Sequence, residues 1–178
     1  TSFAAATVSG SAPNPGGVYF YQKAPTLSLS SASITSIAVA TGTIQYNGKA
    51  GARIKVNVTA EGGDIYVSSS TDYIYDTLAT STIGASTTVV QSVTSNATAS
   101  NAGNFLIYSG ETKWVESYAE LTRVDDANSS TVGDLATYAY MTMLSWQDAD
   151  SAHQGSNITQ DWALTDMKTG SVVLENFR

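Results

Sequence analysis

The sequence predicts an all-β fold: an antiparallel two-sheet sandwich with an N-terminal extension strand. Three observations carry that expectation. Ser and Thr supply 47 of the 178 residues, whereas charged residues make up only 13%, roughly half the usual share. The abundant Thr, Val, Ile and Tyr fit a pleated surface, where branched and aromatic side chains pack without crowding a helical turn. Short apolar alternations recur between Gly, Asn and Asp turns, at the spacing of a sandwich. The length suits one domain able to bury roughly 70% of its unfolded surface without covalent staples.

The first element is an arm. Residues 1–12 carry no charged side chain, and Pro13-Asn14-Pro15-Gly16-Gly17 separates them from the body of the chain. The expected division is therefore an arm and linker over 1–17 and a sandwich over 18–178. Once such an arm leaves water, its backbone donors and acceptors need partners. Adding it as a strand to a neighbouring subunit provides them, with Phe3, Ala5 and Val8 as the interface side chains. A first strand of the chain's own sheet is the other use of the same segment.

The body then reads as a series of strands. Val18 to Gln22 is an aromatic run, Pro25 to Ser31 places Leu27 and Leu29 among Ser and Thr, and Ser36 to Tyr46 holds Ile37, Val39 and Ile44. Ile54, Val56 and Val58 alternate with Arg53, Lys55, Asn57 and Thr59, which predicts a strand with one dry and one wet face. Glu61-Gly62-Gly63-Asp64 then makes a hairpin or a corner into Ile65-Tyr66-Val67. Tyr73 to Tyr75, Thr87 to Thr94 and Phe105 to Tyr108 are the next strands. Residues 111–123 fit an amphipathic helix by the spacing of Trp114, Val115, Tyr118 and Leu121. The strand reading, with Val115, Ser117, Ala119 and Leu121 on one face, is preferred in this Thr-rich context. Thr137 to Gln147 is apolar on both faces and is expected to be central, with Trp146 in the core. Val172 to Leu174 closes the series.

Several segments in this series resemble secreted immunoglobulin-like domains of small-genome candidate-phylum bacteria. They are Ile54-Lys55-Val56-Asn57-Val58-Thr59-Ala60-Glu61-Gly62-Gly63-Asp64-Ile65-Tyr66-Val67, the later Gly110-Glu111-Thr112, and Thr165-Asp166-Met167-Lys168-Thr169-Gly170-Ser171-Val172-Val173-Leu174. The likeness covers about residues 50–178 and leaves the first 30 without a counterpart. It implies an immunoglobulin-like sandwich on a cell surface and implies no reaction.

Charge and composition exclude several roles. The net charge is −7 and the isoelectric point about 4.4, so no basic stripe is available for nucleic acid. No run of about 18 apolar residues is present to span a membrane as a helix. Cysteine is absent, which removes disulfides, thiolate chemistry and Cys-based zinc sites. The opening Thr1-Ser2-Phe3-Ala4 fits a mature terminus left by signal-peptide cleavage.

Chemistry-bearing motifs are sparse. The single histidine, His153, lies in a polar loop without a G-x-S-x-G elbow elsewhere, so no catalytic residues are assigned and no enzyme is expected. Paired carboxylates occur in turn-like segments, where solvated Asp is the ordinary case. Asp125, Asp126 and Asn128 are the candidate oxygen ligands for a structural calcium ion, with Asp148 and Asp150 as a second group, although the ordered calcium-loop spacing is missing. No other cofactor is implied. Sequons begin at Asn57, Asn96, Asn128 and Asn157; Asn96 and Asn128, in loop-like segments, are best placed for glycosylation. Trp114 and Trp162 are unassigned. The expected role is a structural subunit of an extracellular filament or surface layer, a homopolymer joined by strand addition. The alternative is an adhesion module that binds glycan or a host surface protein through exposed Tyr and Trp.

Overall fold

The computed structural model describes residues 23–41, 44–70, 74–80, 85–124, 135–150 and 167–175. These form an all-β, antiparallel fold with no helix among the described residues, and hence none long and apolar enough to cross a membrane. The arm over 1–17, the run Val18 to Gln22 and the loops containing Asp125, Asp126, Asn128 and His153 lie outside the described residues.

Strand β1 (Ala24–Thr41) pairs with β2 (Ile44–Glu61) over nearly their whole lengths. Thr41 pairs with Ile44, so the strand expected from Ser36 to Tyr46 is divided between β1 and β2, and the segments expected at 25–31 and from 36 belong to one strand. Next come β3 (Ile65–Val67), β4 (Ile74–Thr80), β5 (Ala85–Ser95), β6 (Thr98–Ala99) and β7 (Phe105–Ile107). The chain closes with β8 (Thr112–Val124), β9 (Leu135–Leu144), β10 (Trp146–Gln147) and β11 (Val172–Leu174). The long sheet has the order β1-β2-β8-β5; the shorter ones are β10-β3-β7-β6 and β11-β9-β4.

The two shorter sheets run end to end. Val67 pairs with Trp146 and Ile74 pairs with Leu144. Between them the Ser68 amide donates to the Ser145 carbonyl at 2.9 Å. The strand expected from Thr137 to Gln147 is thus interrupted at Ser145, its first part central in one short sheet and its second at the edge of the other. Residues of β2 and β8 share a single core with residues of β3, β7, β9, β10 and β11, a sandwich-like arrangement. Period-two alternation builds the dry side: Ile54, Val56 and Val58 of β2 and Val115, Ser117, Ala119 and Leu121 of β8 are all fully buried. Each large aliphatic there contributes roughly 1.5–3 kcal/mol. Trp146 is buried in the same core.

Two corners carry the chain between layers side by side. Gly62 has φ 77° and Gly110 φ 78°, a region that costs an L-residue about 1–2 kcal/mol. The Gly110 amide donates to the Ala60 carbonyl at 2.8 Å, the Ala60 amide to the Glu111 carbonyl at 3.1 Å, and the Ser109 amide to Asp64 Oδ1 at 2.9 Å. Gly62-Gly63 is therefore a corner rather than a hairpin: β2 pairs with β1 and β8, whereas β3 pairs with β7 and β10.

Candidate interaction surface

The outer face of the long sheet holds the densest polar chemistry in the described residues. Alternation that buries Ile54 and Val56 turns Arg53, Lys55 and Asn57 outward, and pairing aligns them with Tyr118, Glu116 and Trp114 respectively. Glu116 accepts from both cations, from Arg53 at 3.3 Å and from Lys55 at 3.2 Å. The Arg53 guanidinium lies 4.4 Å from the Tyr118 ring centroid, and the Lys55 ammonium 4.4 Å from that of Trp114. Each cation is thereby held between a carboxylate and an aromatic ring, contacts of about 0.5–1 kcal/mol at exposed positions.

Gly51 makes room for this array. A methyl group built there would meet the Tyr118 ring and hydroxyl at 3.0 Å, so the ring lies across the glycine. The Tyr118 hydroxyl donates to Glu120 Oε1 at 3.2 Å. Burial, then the Glu120 hydrogen bond and charge, push the phenol above its ordinary pKa; Arg53 opposes them. At the far end Trp114 meets Asn96: the Trp114 amide donates to Asn96 Oδ1 at 2.8 Å, and Ser95 Oγ donates to the Trp114 carbonyl at 2.6 Å. Pairing of β5 with β8 stops at Ser95 and Val115, so the Asn96 side chain takes over where the ladder ends.

No family model matches the chain, and no curated protein or solved structure is significantly similar to it.

The edges of this sheet contrast with its centre. β1 and β5 are terminal in the strand order and, among the described residues, pair on one side only. Neither contains a charged residue. The charges sit between them: Lys49, Arg53, Lys55 and Glu61 on β2, and Lys113, Glu116, Glu120 and Arg123 on β8. Edge strands are ordinarily protected by charge, proline, bulges or brevity. β1 has Pro25 at its start and two register shifts, at Leu29/Ser31 and Ile37/Val39, but it runs 18 residues, roughly 60 Å at about 3.3 Å per residue.

The remaining expected sites separate clearly. Phe3, Ala5, Val8, Asp125, Asp126, Asn128, Asn157 and Trp162 lie outside the described residues. Among the described residues no group of three His, Cys, Asp or Glu side chains gathers around a potential metal position. Asp150 is instead a clamp. It accepts from Ser100 Oγ at 2.6 Å, Asn104 Nδ2 at 3.4 Å and the Ala102 amide at 3.3 Å, tying the chain after β10 to the turn between β6 and β7. The Ser100 bond chiefly holds its carboxyl below the usual aspartate value; partial desolvation opposes it, and the Asn104, Ala102 and Asn101 donors assist. Donor hydrogens point at the oxygens a cation would need. Sequence reasoning missed the Glu116-centred array because β2 and β8 are some sixty positions apart in sequence; only parity, with Arg53 and Lys55 on one strand and Trp114, Glu116 and Tyr118 on another, foreshadowed it.

Proposed function

We propose that this chain is a non-catalytic structural subunit of an extracellular filament or surface layer. Its fold is read as an immunoglobulin-like sandwich. Neighbouring subunits join by main-chain pairing of residues 1–12 with an open sheet edge. The single observation that carries this reading is the inverted charge distribution of the long sheet, whose central strands hold eight charged residues and whose edges hold none. A fully extended 12-residue arm reaches roughly 40 Å, about two-thirds of the β1 edge, and uncharged strands pair without leaving a desolvated charge behind. The resemblance to secreted surface domains supports the location. The adhesion alternative has less support: Trp114 and Tyr118, the aromatics on the outer face, each carry a cation on the ring, which occupies the surface a sugar needs.

The test uses sedimentation and negative-stain microscopy on the full chain and on a chain lacking residues 1–12. The full chain polymerises, the shortened chain stays monomeric, and a peptide of residues 1–12 binds the shortened chain. Adding Ser28→Lys and Thr35→Lys, at exposed β1 positions, abolishes peptide binding, whereas Thr94→Lys on β5 does not. Polymers formed without residues 1–12, or peptide binding indifferent to the β1 lysines, would remove the proposal.

A further inference from the structure

Asn96-Ala97-Thr98 lies in the tight connection between β5 and β6, and Asn96 and Thr98 are both exposed. The side chain of Asn96 is oriented by its carbonyl: Oδ1 accepts the Trp114 amide at 2.8 Å. Ser95 fixes the same turn, its Oγ accepting the Ala97 amide at 3.0 Å while donating to Trp114. With Oδ1 held against the sheet, the amide nitrogen Nδ2 is turned away from it, and no hydrogen bond engages it among the described residues.

The other sequons differ. Asn57-Val58-Thr59 sits in the middle of β2, paired on one side with Ser28, Leu27 and Thr26 and on the other with Trp114, Lys113 and Thr112. Its Thr59 hydroxyl is engaged with Thr112 at 2.7 Å. Asn128 and Asn157 lie outside the described residues. Of the two sequons whose geometry is defined, only that of Asn96 combines an outward amide nitrogen with an unengaged hydroxyl two residues on.

We propose that Asn96 is the attachment site of an N-linked glycan, an inference that rests on the extracellular location proposed above. The donor class is a lipid-linked oligosaccharide diphosphate. Asn96 Nδ2 forms a bond to the anomeric carbon, the bond from that carbon to the diphosphate oxygen breaks, the lipid diphosphate leaves with the electron pair, and one Nδ2 proton passes to a base of the transferase. The product keeps Oδ1, so the hydrogen bond to Trp114 survives modification. The glycan stands at the β5 end of the long sheet, at the opposite edge from β1, and leaves the β1 edge free.

The test is intact-mass and glycopeptide analysis of the protein purified from its native cells, for the wild type, Thr98→Ala and Asn57→Gln. The expected result is a glycan on the peptide containing Asn96, its complete loss in T98A and its retention in N57Q. T98A keeps the Asn96 cap on Trp114, so an unchanged melting temperature separates loss of modification from misfolding. An unmodified Asn96 in the wild type, or occupancy indifferent to T98A, overturns the assignment. Filaments built from unmodified chains sink this inference alone; glycosylated chains that never assemble sink the filament reading alone.

Discussion

Two threonines beside the same strand make a matched pair of opposite sign. Thr137 of β9 is fully buried between Thr80 of β4 and Val172 of β11, and its Oγ1 finds no hydrogen-bond partner among the described residues. Thr169 is nearly as buried, yet its Oγ1 accepts the Ala139 amide at 3.0 Å and donates to the Gly170 carbonyl at 2.8 Å. Valine replaces either side chain with the same shape and without the hydroxyl. At Thr137 the change removes a desolvated, unpaired group, whose burial costs about 1–3 kcal/mol, so Thr137→Val raises stability by about 1 kcal/mol. At Thr169 it strands a buried backbone donor, so Thr169→Val lowers stability by about 1–3 kcal/mol. Urea denaturation of both variants measures the difference, and in a domain of this length each kcal/mol moves the melting temperature by about 2–4 °C. The reasoning fails if T137V destabilises the protein as much as T169V does.

Asp150 gives a pH prediction. Its carboxyl titrates below the ordinary aspartate value in the folded chain, so the clamp is fully present above the unfolded value and is lost as pH falls through the depressed folded one. Amide protection factors at Ala102 and Asn104, taken relative to the intrinsic exchange rate at each pH, should fall as the solution is acidified through that range, and Asp150→Asn should show the reduced protection already at neutral pH; unchanged protection in D150N would discard the clamp. The glycines give a second contrast. Gly110→Ala meets no neighbouring atom but must adopt φ near 78°, so it costs about 1–2 kcal/mol and leaves the outer face untouched. Gly51→Ala pushes the Tyr118 ring away and should shift the Arg53 and Tyr118 side-chain resonances, which G110A leaves in place.

Local patterns were legible where one physical rule acted alone. The buried face of β8 and the alternation from Arg53 to Thr59 came from the period of two, because nothing competes with burial on a central strand. Trp146 was readable as core, and Gly62-Gly63 as a place where the chain changes direction. Boundaries failed where pairing decided them. The break between β1 and β2 falls inside a segment rich in Ile and Val, and only the 16 registered pairs from Ala24 opposite Glu61 to Thr41 opposite Ile44 reveal it. Ser145 gave no signal either: the break shows only in the pairing, Val67 with Trp146 and Ile74 with Leu144, with the Ser68 amide on the Ser145 carbonyl between them. The Asp150 clamp depends on four donors, from Ser100, Asn101, Ala102 and Asn104, in a turn nearly fifty residues away in the chain, and no spacing rule encodes such a contact.

The placement of charge in the long sheet obeys the same physics of desolvation. Arg53, Lys55 and Glu116 stand on central strands, whose backbone groups are already engaged on both sides, so they guard no edge. They keep one face of the sheet wet, and in the proposed filament or layer that wet face would resist stacking face to face. The edges need the reverse property. A lysine on β1 would have to be desolvated or displaced each time a neighbour's strand docked, a cost comparable with the roughly 0.5–1.5 kcal/mol that each main-chain hydrogen bond contributes. A subunit that assembles through its edges therefore keeps Ser, Thr and Ala there and moves its ions inward, whereas a monomer that avoids aggregation distributes them the other way.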